Sequence, residues 1–194
     1  DEILRKESMT NGIQDVDYVL TSSELAELID RLNIDTKTLI PEPADAPYNT
    51  ESGSGVIFGV SGGVLESMLR HLTEDAGEAL RESGVRENAD IREISLEING
   101  RTIRAAVTSG LKNAAALLEK VRNGEVDFDV IEVMACPGGC IMGGGQPTFD
   151  EYARNSVHGR REHGIYSTDD ESPITVSIKN RLARDLIDSM TEHE

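Results

Sequence analysis

Residues 128–134, Phe-Asp-Val-Ile-Glu-Val-Met, form a nearly continuous apolar run that empties into Ala135-Cys136-Pro137-Gly138-Gly139-Cys140-Ile141-Met142-Gly143-Gly144-Gly145-Gln146-Pro147. A short β-branched run of this kind suits a strand covered on both faces, as in sheets flanked by helices. Five of the thirteen loop residues are glycine. Glycine lets the backbone approach a bulky ligand and turn its amide N–H groups toward it. The sequence therefore predicts a buried strand whose carboxyl end opens on a loop of bare backbone carrying two thiols.

Cys136 and Cys140 are the only cysteines, so a disulfide framework is not expected. Three residues separate them, one more than in a thioredoxin-type pair. The four histidines all lie outside the loop and lack zinc-finger spacing. Thiolates are soft ligands suited to iron–sulfur clusters, zinc or copper(I). Two are too few for a closed tetrahedral site, so further ligands must come from elsewhere. The bland alternative, a flexible loop with two incidental thiols, accounts neither for the preceding strand nor for both cysteines falling inside the loop.

The rest of the chain alternates helix and strand signals. Residues 1–11 are charged and helix-compatible, and Val16–Leu20 reads as a short strand. Thr21-Ser22-Ser23-Glu24 is a capping box, followed by a helix with Leu25, Leu28, Ile29 and Leu32 on one face. Pro41–Ser54 reads as a loop. Val56–Phe58 reads as a short strand entering Gly59-Val60-Ser61-Gly62-Gly63, and a helix follows with Val64, Leu65, Met68 and Leu69 inward. Residues 74–90 read as polar and exposed. Ile94, Leu96 and Ile98 alternate with polar residues before Asn99-Gly100, and Ile103, Ala105 and Val107 alternate after it, a hairpin with a type I′ turn. Thr108–Arg122 reads as a helix, and the tail as helical near 149–155 and 174–190. The fold class is α/β: a mostly parallel sheet flanked by helices, with an inserted β-hairpin. Ligands in such sheets sit beyond the carboxyl ends of strands, so the loops 59–63 and 138–145 are expected to converge. A net charge of −17 argues against nucleic-acid binding through the general surface. No run of 18 apolar residues is present, so no transmembrane helix is expected.

Glu132-Val133-Met134-Ala135-Cys136-Pro137-Gly138-Gly139-Cys140, followed by Gly143-Gly144-Gly145-Gln146-Pro147, resembles the third signature of iron-only hydrogenases. Phe58-Gly59-Val60-Ser61-Gly62-Gly63-Val64 with Glu66 resembles the segment that family places against its cluster. Glu2 and Arg5 resemble the tail of the second signature, Pro-Cys-x-x-Lys-x-x-Glu-x-x-Arg. The resemblance implies the C-terminal part of a catalytic subunit: residues 1–150 as part of the H-cluster domain and 151–194 as a helical tail packed on it. It implies an H-cluster, a 4Fe-4S cubane joined to a di-iron unit bearing CO, CN and dithiolate ligands. By position, Cys136 is a cubane ligand and Cys140 the bridging ligand. Met134 lies beside the di-iron unit, and Phe58, Gly59 and Ser61 line the pocket. Gly138, Gly139 and Gly143 present backbone to the cofactor. Each has a plainer reading: Met134 and Phe58 as core, and Glu132 as an acceptor for backbone amides.

The implied activity is reversible oxidation of H2 to protons and electrons in anaerobic hydrogen metabolism. The alternatives are a hydrogenase-like iron–sulfur assembly protein and an H2-sensing relative of low turnover. The implied partners are an upstream segment or second chain supplying two more cysteines, and an electron carrier such as ferredoxin or a NAD(P)-linked subunit. The cytoplasm is the expected compartment, with the periplasm as alternative. Arg161, Tyr166 and Asp169 fit the family's C-terminal region. The Ser-His-x-Asn-Pro stretch usual after it is replaced by Ile174–Ile178, a departure from the family's pattern at its C-terminal contacts.

Overall fold

The computed structural model describes residues 9–43, 45, 50–73, 78–87 and 89–191. Glu2 and Arg5 lie outside these. The chain divides into two compact units. One takes in the described residues up to Pro41 together with Gly144–Asp150, and the other takes in Glu42–Gly143 and the described residues from Glu151 onward.

The first unit holds a minimal hairpin, β1 (Met9–Thr10) against β2 (Ile13–Gln14), turned by Asn11 and Gly12 at positive φ. Its helix α1 (Ser22–Arg31) starts as the capping box requires: the Thr21 side chain accepts from the Glu24 amide, and Glu24 Oε2 accepts from the Thr21 amide at 2.8 Å. Val16–Leu20 is not a strand. Its residues are exposed and have no ladder partner among the described residues, and β-branched content cannot hold a strand without a neighbouring one.

The second unit is built on a three-stranded sheet in the order β3-β4-β5. β3 (Ile91–Ile98) and β4 (Arg101–Ser109) form the expected hairpin, with Ile98 opposite Arg101 across Asn99-Gly100. Both turn residues have positive φ, 52° and 75°, as a type I′ turn needs. β4 then crosses over through α5 (Leu111–Arg122) to β5 (Val130–Met134), which pairs parallel to β4. The α/β class with an inserted hairpin is thus present, and the described sheet is mixed: one antiparallel and one parallel pairing. One face carries Ile94, Ile98, Ala105 and Val107, packed with Leu65 and Leu69 of α3 (Gly63–Thr73). Alternation along β4 sends Ala106 and Thr108 to the other face, where they too are fully buried.

Several expectations are corrected. Val56–Phe58 is not a strand: α2 (Gly53–Val56) runs into a 3-10 turn at Ile57–Gly59. A run of three apolar residues carries no period, and the Ser52 cap on the Gly55 amide selects the helix. The loop 59–63 therefore follows a helical turn rather than a strand. Residues 74–90 are not uniformly exposed. α4 (Glu78–Glu82) and the turn after it sink Leu80 and Val85 into the core. In the tail, a turn at Glu151–Ala153 leads into α6 (Arg154–Glu171), and α7 (Arg181–Thr191) follows. α6 begins where the first expected tail helix ends. Its sequence is polar on all sides, so no apolar period marks it.

Candidate metal centre

β5 delivers the cysteine loop, and backbone bonds fix where it leaves the sheet. The Gly110 amide donates to the Met134 carbonyl at 2.8 Å. One turn on, the Gly138 amide donates to Ser109 Oγ at 3.0 Å. Within the loop, the Gly139 amide donates to the Cys136 carbonyl, and the Gly143 amide to the Cys140 carbonyl, both at 3.0 Å. Residues Cys140–Met142 form a 3-10 turn. Gly138 and Gly139 stand at φ 87° and 85°, a region that side chains rarely enter.

The two glycine-rich loops meet. A Cβ on Gly139 would lie 2.7 Å from the Ser61 amide nitrogen and 3.0 Å from the Gly59 carbonyl oxygen. No side chain fits there, so bare backbone lies on bare backbone. Beside this contact Ile57, Val60 and Ile141 form a small buried cluster, with Met142, Ile165 and Tyr166 against it. Cys136 Sγ is 3.7 Å from the position a Cβ on Gly143 would take, so Cys136, Cys140 and Gly143 share one compact turn. Both cysteines are free thiols, Cys136 half-buried and Cys140 exposed.

Glu132 ties the parts together. Its carboxylate is buried and accepts from the Gly62 amide at 2.6 Å and the Leu65 amide at 2.7 Å. A negative charge at the start of α3 is also where the helix dipole favours one. The residue therefore bonds backbone amides, the plainer of its two readings. Ser61 is half-buried, and its hydroxyl accepts from Arg92 Nη2 at 2.7 Å. Met134 is half-buried and Phe58 is 49% exposed, so Phe58 is not a core residue of this chain.

Other contacts were not predicted, although Glu66, Arg161, Tyr166 and Asp169 are singled out by resemblance. The His158 ring lies against Gly138, 3.2 Å from where its Cβ would be. Arg161 Nη1 donates to the Ile141 carbonyl at 2.8 Å, one residue past Cys140. Arg70 pairs both guanidinium nitrogens with Asp169 at 2.7 Å and also reaches Glu66 at 2.6 Å. Arg86 joins the same two carboxylates and stacks 4.0 Å over the Tyr166 ring. Glu66 and Arg70 stand four apart on one helix, a spacing a sequence can show, but Asp169 lies 99 positions from Arg70, so no local pattern could have announced that they meet. The divergent stretch at Ile174–Ile178 is docked: the Gly53 and Ser54 amides donate to the Ile174 and Thr175 carbonyls, and Val176 is buried.

Two thiols on one glycine turn, free of each other and backed by amides, fit one half of a thiolate ligand set for an iron–sulfur cluster. Among the described residues no group of three or more His, Cys, Asp or Glu is placed to hold a metal ion. The remaining ligands of such a set are thus not among them.

Residues 1–144 match the family model for the iron only hydrogenase large subunit, C-terminal domain. The chain is 40% identical over 185 residues to the NADP-reducing hydrogenase subunit HndD of Solidesulfovibrio fructosivorans, covering 92% of this chain and 31% of that protein. It is 36% identical over 140 residues to the cytosolic iron-sulfur assembly component 3 of Mus musculus, covering 69% of this chain and 29% of that protein. The fold superposes on a variant of the FeFe-hydrogenase HydA1 from Chlamydomonas reinhardtii with a TM-score of 0.68 at 28% identity, covering 96% of this chain and 55% of that one. The chain thus spans about a third of the length of these curated relatives. With its cysteine turn seated on the second glycine loop and three quarters of its length within the family model, the chain belongs to the iron-only hydrogenase large subunit family, C-terminal domain.

Proposed function

We propose that this chain is the C-terminal portion of the H-cluster domain of an iron-only hydrogenase and serves the reversible oxidation of H2 to two protons and two electrons. The observation that carries this reading is the seating of Gly139 on the backbone of Gly59–Ser61, which brings both cluster-facing segments of the family to one place beside the two cysteines. In this reading Cys136 binds the 4Fe-4S cubane and Cys140 bridges it to the di-iron unit. A segment or chain beyond these residues supplies the other two thiolates. When bound, the cofactor supplies the hydrogen-activating iron, the amine that takes the proton and the cubane that takes electrons.

The protein contributes placement and exclusion of water. Gly138, Gly139 and Gly143 let backbone come up to the cofactor where any side chain would stand in the way. Gly59 and Ser61 offer polar backbone and a hydroxyl from the facing loop. Phe58 and Met134 cover the di-iron side with apolar surface, and the exposure of Phe58 in this chain supports a role against a group outside its own core. Electrons leave to a carrier such as ferredoxin or a NAD(P)-linked subunit, as the likeness to an NADP-reducing hydrogenase subunit supports.

The decisive measurement is infrared spectroscopy of the matured holoprotein. CO and CN stretching bands and H2 turnover are expected, and both are lost in Cys140→Ser. Wild-type activity in that variant overturns the assignment. The second reading, an iron–sulfur assembly factor, is favoured by the likeness to the mouse assembly component. It predicts a 4Fe-4S signal with no CO or CN bands.

A further inference from the structure

The second unit buries two arginines almost completely, Arg70 at 0% and Arg92 at 6% exposure. Arg70 touches two carboxylates. Arg92 has neither of these. Its Nη1 donates to the carbonyls of Val85 at 2.5 Å and Glu87 at 3.0 Å, and its Nη2 to Ser61 Oγ. Its Nε is buried without a hydrogen-bond partner among the described residues. The carboxylates of Glu87, Glu132 and Glu162 act on it through charge alone, with no hydrogen bond from its guanidinium to any of the three.

A guanidinium stays protonated in proteins, so Arg92 is a buried positive charge with no counter-charge in contact among the described residues. Such a charge is strongly destabilising unless something answers it, and a buried polar atom without a partner calls for an explanation. Burial lowers the Arg92 pKa, the direction expected of a cation whose solvation has been lost and not replaced. Arg92 is also well placed. Its Ser61 partner is the residue on which Gly139 rests. A cavity of about 50 Å³, which Arg92 shares with Ser61, Gly138, His158 and the acids Glu87, Asp90 and Glu162, none of these acids in an ion pair with it among the described residues, reaches the turn between the cysteines.

We propose that Arg92 is the counter-charge for the anionic cluster held at Cys136 and Cys140, acting as a positioning residue through Ser61 and the Gly138–Gly139 turn. The proposal rests on reading the cysteine pair as cluster ligands, and it holds for a hydrogenase and an assembly factor alike. A thiolate-ligated cubane gains one negative charge on reduction. A fixed positive charge at low dielectric favours the reduced form. Two consequences of opposite sign follow. With the cluster bound, removing the charge makes reduction harder. Without it, removing the charge relieves an unanswered burial and leaves the protein at least as stable. An arginine kept only for packing or hydrogen bonding produces neither.

The test compares Arg92→Met and Arg92→Lys in the holoprotein, this chain together with whatever supplies the other thiolates. The midpoint potential of the 4Fe-4S couple is read by redox titration followed by electron paramagnetic resonance. The unfolding midpoint of the cluster-free proteins is read in denaturant. The expected results are a more negative potential in Arg92→Met, a potential near wild type in Arg92→Lys, and a cluster-free Arg92→Met that unfolds at no lower denaturant than wild type. An unmoved potential in Arg92→Met overturns the proposal. So does an equal shift in both variants, or a cluster-free Arg92→Met that is destabilised or fails to fold. If wild type shows no reducible 4Fe-4S signal, the reading of the cysteines falls, and this inference with it. A normal signal with an unmoved potential removes only the inference.

Discussion

Arg70 and Arg92 are both buried in the same compact unit, yet their surroundings follow opposite rules. Arg70, Arg86, Glu66 and Asp169 form a closed set of two cations and two anions. Every carboxylate oxygen in it accepts at least one guanidinium bond. It joins α3, the turn before β3 and α6 and needs nothing from outside. The cysteine side is open: bare amides, two free thiols, one of them on an exposed residue, and a cation without a contacting anion among the described residues. A closed charge set stabilises the chain by itself, whereas an open one is built to be completed by a ligand. That difference separates scaffold from site for two arginines that burial alone does not tell apart.

The contrast is broken most directly at Asp169. Asp169→Ala leaves Arg70 buried with half its partners gone and is expected to destabilise by about 3–5 kcal/mol, read as a lowered denaturant midpoint with or without cluster. If the loss is under about 1 kcal/mol, the set is not closed in the sense argued. Burial opposes ionisation of Asp169 but is outweighed by the hydrogen bonds and charges of Arg70 and Arg86, so its pKa lies below the ordinary carboxylate value. The folded state then holds fewer protons on this group than the unfolded one. Its contribution is fully present above the unfolded pKa near ~3.9 and is lost as pH falls through the lower folded value. Acid unfolding of Asp169→Asn should accordingly be less steep over that window than wild type.

Glu132→Ala sharpens the comparison at the seam between the regions. It strips acceptors from two buried amides and is expected to cost about 2–3 kcal/mol, with loss of cluster retention at denaturant levels the wild type tolerates. Equal losses of stability and cluster in strict proportion would make Glu132 scaffold only. Gly139→Ala is expected to cost about 1–3 kcal/mol, because φ 85° with ψ −173° is backbone essentially confined to glycine, while abolishing cluster assembly, since the new methyl would collide with the Ser61 amide. Assembly at wild-type yield would mean that the two glycine loops need not meet. The smallest effect is expected at Arg81, whose pair with Asp170 is half exposed. Arg81→Ala should change stability by about 0.5 kcal/mol or less once solvent screening is allowed for, measured in the same denaturant series.

Local chemistry announced the elements that local chemistry controls. The Asn99-Gly100 hairpin and the Thr21–Glu24 capping box are set within a few residues, by turn geometry and by a side chain reaching its own backbone. The strand before the cysteine loop was legible from its β-branched run, but its expected cover on both faces is corrected: Val130, Ile131 and Met134 are half-buried and Val133 is exposed in this chain, on an edge strand of the described sheet. Val56–Phe58 was not, since three apolar residues fit a strand or a helical turn equally, and only packing chose. α6 was displaced because a helix polar on every side has no period to read. The closed charge set was not legible as a set: Glu66 and Asp169 are singled out by resemblance and Glu66 and Arg70 share a helical spacing, but that these two carboxylates meet Arg70 and Arg86 in the interior depends on the fold.

The sequence by itself determined the kind of chemistry available, because two thiols and five glycines on one loop restrict what can be bound whatever the fold. It also determined the hairpin and the capped helix, and the helix read over Thr108–Arg122, which starts at Leu111 because Thr108 and Ser109 close β4. Only the tertiary structure decided which charges are buried, which of them are answered, and that Gly139 rests on Gly59–Ser61. Those outcomes depend on the distance between residues far apart in the chain, and electrostatic and steric energies are set by that distance rather than by order along the sequence.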